Sequence, residues 1–301
     1  MKNKFLRSPL FYVGDKYKLL PEITKYFPND INQFIEPFVG GGSVFLNVDA
    51  KKYLLNDLDN TVIDIHQYLS KQSVNPELFF KNVEKIIKEY GLSHSYLKDI
   101  VPNELKKEFV KTYYSKFNKE GYNRLKNNFN TSDKADLLKL YILMIYGFNR
   151  MLRFNKEGNF NIPVGNVDFN SNVYNALNGY FNTVPTKDIT WHSFDFEQFF
   201  NKITISNKDF IYLDPPYLIT FSEYNKYWCQ AEEKRLLKLL DKLNKKNIKF
   251  AISNVTHYKG RVNDIFLKWS KQYKCSSIKS NYIAYHDNSI KSFKEVLVKN
   301  Y

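Results

Sequence analysis

Four consecutive residues, Asp214-Pro215-Pro216-Tyr217, carry the clearest chemistry in the chain. They follow the apolar run Phe210-Ile211-Tyr212-Leu213, which reads as a buried strand. The two prolines must stop that strand, because proline has no backbone N–H to give to a sheet ladder. The forced turn sets a carboxylate (Asp214), a backbone carbonyl (Pro215) and an aromatic face (Tyr217) side by side. Carboxylate and carbonyl oxygens both accept hydrogen bonds, so the pair can grip an exocyclic NH2 while the tyrosine ring stacks on a planar base. The amino lone pair is then aimed for attack. By itself the tetrapeptide also serves as a plain strand-ending turn, and a second motif is needed to choose between the two.

That motif lies upstream, where Phe34-Ile35-Glu36-Pro37-Phe38-Val39 runs into Gly40-Gly41-Gly42 and then Ser43-Val44-Phe45. The order is strand, tight glycine turn, helix start. Glycine takes positive φ and lets the backbone approach a ligand, which suits a nucleoside-bearing cofactor lying over the first strand. A phosphate-binding G-x-x-x-x-G-K-[ST] run is absent, and Phe45 stands where a dinucleotide fingerprint has its third glycine. Asp57 closes the next apolar run, Tyr53-Leu54-Leu55-Asn56, in the position of an acid that holds ribose hydroxyls. Alone, the glycine run is equally a structural loop; with Asp57 and the later tetrapeptide it reads as a cofactor site.

Taken together these residues resemble the Dam-type, α-class DNA adenine-N6 methyltransferases, and the resemblance covers nearly the whole chain. Phe11-Tyr12-Val13-Gly14-Asp15-Lys16-Tyr17-Lys18-Leu19-Leu20 is similar to the family's N-terminal signature, and Glu36-Pro37-Phe38-Val39-Gly40-Gly41-Gly42 to its cofactor loop. Asp195-Phe196, after the apolar run Ile189-Thr190-Trp191-His192, resembles the contact to the cofactor's adenine ring. The stretch from Arg153-Phe154-Asn155 through Gly158-Asn159-Phe160-Asn161 to Gly165 resembles the hairpin that opens the target-recognition region.

The resemblance implies S-adenosyl-L-methionine as cofactor, a flipped adenine in double-stranded DNA as substrate, and direct in-line methyl transfer with no covalent enzyme intermediate. It implies Asp214, Pro215, Pro216 and Tyr217 as catalytic residues. The cofactor would be held by Tyr12, Lys16, Glu36, Pro37, Phe38, Gly40, Gly42, Asp57, Asp195 and Phe196. Arg150, Arg153, Phe154, Asn155 and Asn161 would contact DNA. N4-cytosine methylation and a catalytically silent DNA-binding protein are the alternatives; Asp rather than Ser at position 214 favours adenine. Two departures stand out. Gly14-Asp15 replaces the frequent glycine pair, and Asn166-Val167-Asp168 replaces the basic, aromatic run that follows the hairpin in members reading GATC, so that target is not carried over.

The elements that must position these groups alternate along the chain. Strands are expected near 33–38, 51–57, 187–193, 208–214, 248–253, 275–280 and 294–300, with helices at 59–70, 231–246 and 262–272. This is the pattern of an α/β, doubly wound, Rossmann-like sheet. Between residues 72 and 184 the rhythm breaks into helices near 76–90, 103–119 and 133–148, then an Asn- and Gly-rich hairpin and loop over 153–183. The expected division is a catalytic domain of 1–71 and 185–301 around a mostly helical target-recognition subdomain of 72–184. Tyr141, Tyr146 and Phe148 are expected in its core, and Phe154 and Phe160 are candidates for base contact. Ser253-Asn254 is expected at a strand end, as pocket lining or a simple turn. Tyr224, Tyr227 and Trp228 form an aromatic cluster suited to closing over substrate or packing the adjoining helix.

Composition agrees with a polyanionic partner. The formal charge is +14 at 301 residues, which favours phosphate backbone whatever the sequence read. Most of it is lysine, much of it on solvated helix faces, so the six arginines are more informative; Arg150 and Arg153 flank the recognition hairpin. Two cysteines, Cys229 and Cys275, make neither a disulfide framework nor a zinc site, and the histidines have no metal-ligand spacing, so no metal is expected. With no signal-peptide pattern and no apolar run of bilayer length, a cytoplasmic protein without membrane association is expected. One catalytic tetrapeptide and one recognition region suggest a monomer, with a cognate restriction endonuclease as a candidate partner.

Overall fold

The computed structural model describes residues 5–98, 101–132, 134–220, 228–279 and 293–301. Two compact units emerge, one of residues 1–15 and 64–186 and one of 16–63 and 187–301. The boundaries expected from sequence lie at 71/72 and 184/185.

The second unit holds the sheet. Its strands are β1 (Gln33–Glu36), β2 (Lys52–Asn56), β3 (Ile189–His192), β4 (Phe210–Leu213), β5 (Lys249–Tyr258), β6 (Arg261–Val262), β7 (Lys274–Ile278) and β8 (Lys294–Lys299). They pair in the order β3-β2-β1-β4-β5-β8-β7, with β6 beside β5. The four pairings of this path up to β5 are parallel, while β8 runs antiparallel to both β5 and β7. Strand order reverses between β1 and β4, so the crevice outside their carboxyl ends is the place where a sheet of this kind binds ligand.

Alternation along the strands explains the layers. Ile35, Ile211, Leu213, Phe250 and Ile252 share one buried face with α8 (Phe196–Lys202), α9 (Gln230–Lys245) and α10 (Asp264–Ser270). Phe34, Phe210 and Tyr212 point the other way and meet Phe27, whose ring lies 4.8 Å from that of Phe210 and 5.2 Å from that of Tyr212. Both faces are covered, which is why these strands read as continuous apolar runs.

The helices before the sheet's third strand are α1 (Leu20–Ile23), α2 (Asn60–Gln72), α3 (Pro76–Tyr90), α4 (Asn103–Glu108), α5 (Tyr113–Thr131), α6 (Leu137–Tyr146) and α7 (Ser171–Thr183). In the helical unit α6 is buried along its length from Leu140 to Tyr146. The buried tyrosines there satisfy their hydroxyls on backbone carbonyls: Tyr122 on Ile162 at 3.1 Å, Tyr141 on Pro9 at 3.0 Å and Tyr146 on Ser93 at 2.6 Å.

Several expectations need correcting. The single helix over 103–119 is two, α4 and α5, broken at Phe109–Thr112, and α5 runs on to Thr131. Residues 171–183 are helical and not loop, because Asn170 caps α7 and Val173, Ala176, Leu177, Tyr180 and Phe181 bury one stripe. Phe148 is 51% exposed, since α6 ends two residues earlier. Ser253 and Asn254 do not end a strand: β5 continues to Tyr258 with both residues buried inside it. Among the described residues no helix is long and apolar enough to cross a membrane.

Candidate active site

The sheet unit brings together Lys16, the Glu36–Gly42 loop, Asp57, Asp195-Phe196 and Asp214–Tyr217, all at the carboxyl ends of β1, β2, β3 and β4 or on the segment before α1. Tyr12, Arg150, Arg153, Phe154, Asn155 and Asn161 belong to the helical unit.

β4 ends at Leu213, one residue before Asp214, as the proline pair requires. Asp214 is flanked on both oxygens. Its Oδ2 lies 2.6 Å from the ammonium of Lys16, which is 5% exposed, and its Oδ1 lies 2.8 Å from the Tyr217 hydroxyl. The same hydroxyl sits 3.0 Å from Glu295 Oε1, and the Lys16 ammonium is 5.2 Å from the centre of the Tyr217 ring. Burial, then the charges of Asp214 and Glu295, push the Tyr217 phenol well above its ordinary pKa, so it stays a neutral donor at any working pH.

The glycine loop follows β1 directly. Gly40 and Gly42 both have positive φ, +45° and +78°, the conformation for which glycine is the low-cost residue. Gly40 N–H donates to Asp57 Oδ2 at 2.9 Å, and Asp59 N–H donates to Asp57 Oδ1 at 3.0 Å. Burial outweighs these hydrogen bonds and raises the Asp57 carboxyl to about 6. An open glycine turn beside a carboxylate at adjoining strand ends fits a nucleoside-bearing cofactor: the carboxylate can take ribose hydroxyls and the turn admits close approach.

Asn56, buried at the end of β2, ties this region together. Its Nδ2 donates to Pro37 O at 3.0 Å and to Phe194 O at 2.9 Å, and its Oδ1 accepts from Phe194 N at 2.9 Å. One side chain thus links the loops after β1 and β3. Sequence reasoning passed over it, although an amide at the inward end of Leu54-Leu55-Asn56 was the available signal.

Asp195 caps α8 through Glu197 N at 3.0 Å and pairs with Arg235, whose guanidinium also lies 4.3 Å over the Phe196 ring. Phe196, Phe38 and Trp228 pack with ring centres about 6 Å apart, at 5.8 and 6.1 Å. Trp228 Nε1 donates to buried Glu233 at 2.7 Å, so this ring packs α9; Tyr224 and Tyr227 of the expected cluster lie outside the described residues. Glu233 also accepts from Asn254 at 3.0 Å and Asn263 at 2.9 Å, giving Asn254 a structural partner in place of a pocket role.

In the helical unit, the hairpin forms with Phe154 bridged to Phe160 and Gly158 at φ +70° in its turn. Arg153 Nε donates to Asn161 Oδ1 at 2.8 Å, and Asn155 Oδ1 accepts from Asn159 N at 2.8 Å, so three of the candidate DNA residues also hold the hairpin's shape. Phe160 is 1% exposed against Phe129 and cannot meet a base as it stands; Phe154 remains half-buried. Arg150 stacks 3.9 Å over Phe11, beside Arg7, and burial lowers its guanidinium to about 10. With Phe148, Asn149 and Asn166 these residues line a cleft of about 430 Å³. Asp168 is fully buried and accepts from Ser95 N at 2.8 Å and Ser95 Oγ at 2.9 Å. At the N-terminal signature, Asp15 N donates to Tyr12 O at 3.1 Å across a turn whose positive φ, +84°, falls on Gly14, so Asp15 replaces a glycine at no conformational cost. Among the described residues no group of His, Cys, Asp or Glu is placed to hold a metal ion.

A family profile described as D12 class N6 adenine-specific DNA methyltransferase matches residues 12–295. Modification methylase StsI of Streptococcus sanguinis is 34% identical over 99% of this chain and 43% of its own length. Type II methyltransferase M.FokI of Planomicrobium okeanokoites is likewise 34% identical over 99% of this chain and 43% of its own length. The DNA adenine methylase of Haemophilus influenzae is 29% identical over 84% of this chain and 82% of its own. The chain therefore spans less than half of StsI and M.FokI.

Proposed function

Because this chain belongs to the D12 class of N6 adenine-specific DNA methyltransferases, we propose that it methylates N6 of a flipped adenine in double-stranded DNA, using S-adenosyl-L-methionine. The observation that carries this reading is the Asp214-Pro215-Pro216-Tyr217 turn at the end of β4, in the same crevice as the Gly40–Gly42 turn and Asp57. The names of two relatives as modification methylases support a role within a restriction-modification system, with a cognate endonuclease as partner; a solitary enzyme would use the same site. Residues 1–71 and 185–301 are proposed as the catalytic domain and 72–184 as the target-recognition subdomain, acting as a cytoplasmic monomer.

When bound, the cofactor supplies an activated methyl group on a cationic sulfur. What the protein adds is position, an effect worth ~7–11 kcal/mol in well-aligned reactions. Asp214 and the Pro215 carbonyl accept the two N6 hydrogens and favour the positive charge that develops there. Tyr217 stacks on the base, whose extrusion from the duplex costs a few kcal/mol. Asp57 would take the ribose hydroxyls, Glu36, Pro37, Phe38, Gly40 and Gly42 would line the cofactor's path, and Asp195-Phe196 would meet its adenine. Lys16 would take its carboxylate end in exchange for Asp214, and Tyr12 is proposed as a further cofactor-binding residue. Arg150, Arg153, Phe154, Asn155 and Asn161 contact DNA.

Expression in a methylation-deficient bacterium, with single-molecule sequencing of its genome, tests the reading. One motif carrying N6-methyladenine is the expected result. N4-methylcytosine would move the activity to the other exocyclic amine, and an unmodified genome from folded, cofactor-binding protein would sink the proposal.

A further inference from the structure

Glu295 begins the apolar stretch Glu295-Val296-Leu297-Val298 of β8 and is 1% exposed, held between Val255 of β5 and Ile278 of β7. Burying a carboxyl in such a strand costs free energy unless a polar partner meets it. One such partner is in the catalytic tetrapeptide: Glu295 Oε1 lies 3.0 Å from the Tyr217 hydroxyl, which lies 2.8 Å from Asp214 Oδ1. A phenol has one hydrogen and cannot donate to two carboxylates at once. For both contacts to be hydrogen bonds, one carboxyl must carry a hydrogen of its own.

We infer that Glu295 is a positioning residue for methyl transfer: it anchors the Tyr217 hydroxyl and so fixes the ring that stacks on the target base. Two consequences follow from the geometry. Tyr217 is held at its far end as well as by the backbone turn, so its ring plane is set before substrate arrives. Asp214 Oδ1 is occupied by a fixed donor, which leaves Oδ2, the oxygen that Lys16 holds, for the amino group. The inference rests on the adenine-methylation reading and adds to it a residue outside every motif of the chain.

Single-turnover transfer to DNA bearing the mapped target, with 2-aminopurine at the target position as a second readout, tests it. Glu295→Ala should lower the transfer rate ~10- to ~100-fold, the range expected from a small misplacement of a reacting group. Cofactor affinity should stay within about twofold, because no cofactor-binding group is touched. Glu295→Gln, which can still donate to the hydroxyl, should restore most of the rate. Tyr217→Phe combined with Glu295→Ala should lose no more than the worse single variant, since both remove one anchor. Transfer by Glu295→Ala at the wild-type rate, or losses that multiply in the double variant, would overturn the inference. Should Glu295→Ala fail to fold, Tyr217→Phe decides: a wild-type rate without the hydroxyl overturns it, and a loss that Glu295→Gln does not share supports it. A wild-type protein that methylates only cytosine, or nothing, overturns the adenine reading and this inference with it; normal transfer by Glu295→Ala overturns this inference alone.

Discussion

Lys16 Nζ lies 2.6 Å from Asp214 Oδ2, so the cation that precedes α1 neutralises the carboxylate that ends β4. The pair couples the two halves of the reaction, since Lys16 is the proposed ligand of the cofactor's carboxylate and Asp214 the proposed grip on the target amine. Removing the acid takes a close ion-pair partner from a buried ammonium, and breaking a buried pair costs about 3–5 kcal/mol of stability. Asp214→Ala should therefore lower the midpoint of urea unfolding and abolish turnover, while equilibrium dialysis finds cofactor bound at least as well as by wild type. Turnover retained by Asp214→Ala removes Asp214 from the catalytic role.

Asp57 gives a pH signature. Burial raises its carboxyl to about 6, so below that pH the group is protonated and offers ribose hydroxyls a poorer acceptor. Cofactor affinity should fall as pH drops through 6 and level off above 7, and Asp57→Asn should bind weakly with no such inflection. For the unliganded fold the sign reverses. A raised carboxyl contributes most below its unfolded value near 3.9 and loses that contribution as pH rises through 6. The stabilisation gained by Asp57→Asn should thus be larger at pH 8 than at pH 5, read from thermal unfolding without cofactor.

The parallel strands are legible in the sequence because each is a short apolar run ending in a polar or proline-marked turn, as at Glu36-Pro37, Asn56-Asp57 and Asp214-Pro215. Helix α7 is not, because Ser171–Thr183 has the composition of a loop, with Asn172, Asn175, Asn178 and Asn182 along its polar side; only packing of Tyr180 and Phe181 into the core makes it helical. Glu295 is hidden for a different reason. Its partner Tyr217 is 78 residues away, and nothing in the local pattern says that the last strand inserts between β5 and β7. Likewise, spacing could nominate Phe160 as an exposed hairpin aromatic but could not show Phe129 waiting beneath it.

Asn56 is expected to matter as much as the residues it positions. Asn56→Leu deletes three hydrogen bonds and leaves Pro37 O and both backbone groups of Phe194 without them. A loss of about 2–4 kcal/mol in unfolding free energy is expected. At a temperature where the variant is folded, cofactor affinity should fall by roughly tenfold, because the loops after β1 and β3 are no longer tied. Unchanged affinity would mean the loops are held elsewhere.

Gly121 tests packing against helix propensity. In an open helix Gly→Ala stabilises by up to about 1 kcal/mol. Here an added Cβ would stand 2.0 Å from the Tyr90 carbonyl oxygen, at the end of α3, where the contact is backbone and cannot swing away. Overpacking of this kind costs about 1–3 kcal/mol. Gly121→Ala should lower the unfolding free energy, and a stabilised variant would show that α3 and α5 separate freely.

Arg150 separates the proposed DNA contact from the chemistry. Its guanidinium stacks 3.9 Å over Phe11, and no hydrogen bond or ion pair among the described residues occupies its N–H edges. Even lowered to about 10 it is charged at neutral pH, and Arg7 beside it adds repulsion that an anion or a base edge would relieve. Arg150→Ala should raise the DNA KM by roughly tenfold with cofactor affinity unchanged. The salt dependence then tells which part of DNA it meets. If it contacts phosphate, the slope of log affinity against log salt drops by about one and all sequences weaken together. If it reads a base edge, the slope holds and discrimination at one position is lost by about 1–3 kcal/mol, with Arg150→Lys failing to restore it because a point charge cannot make the bidentate contact. An unaltered KM would exclude the cleft around Phe11 from the DNA interface.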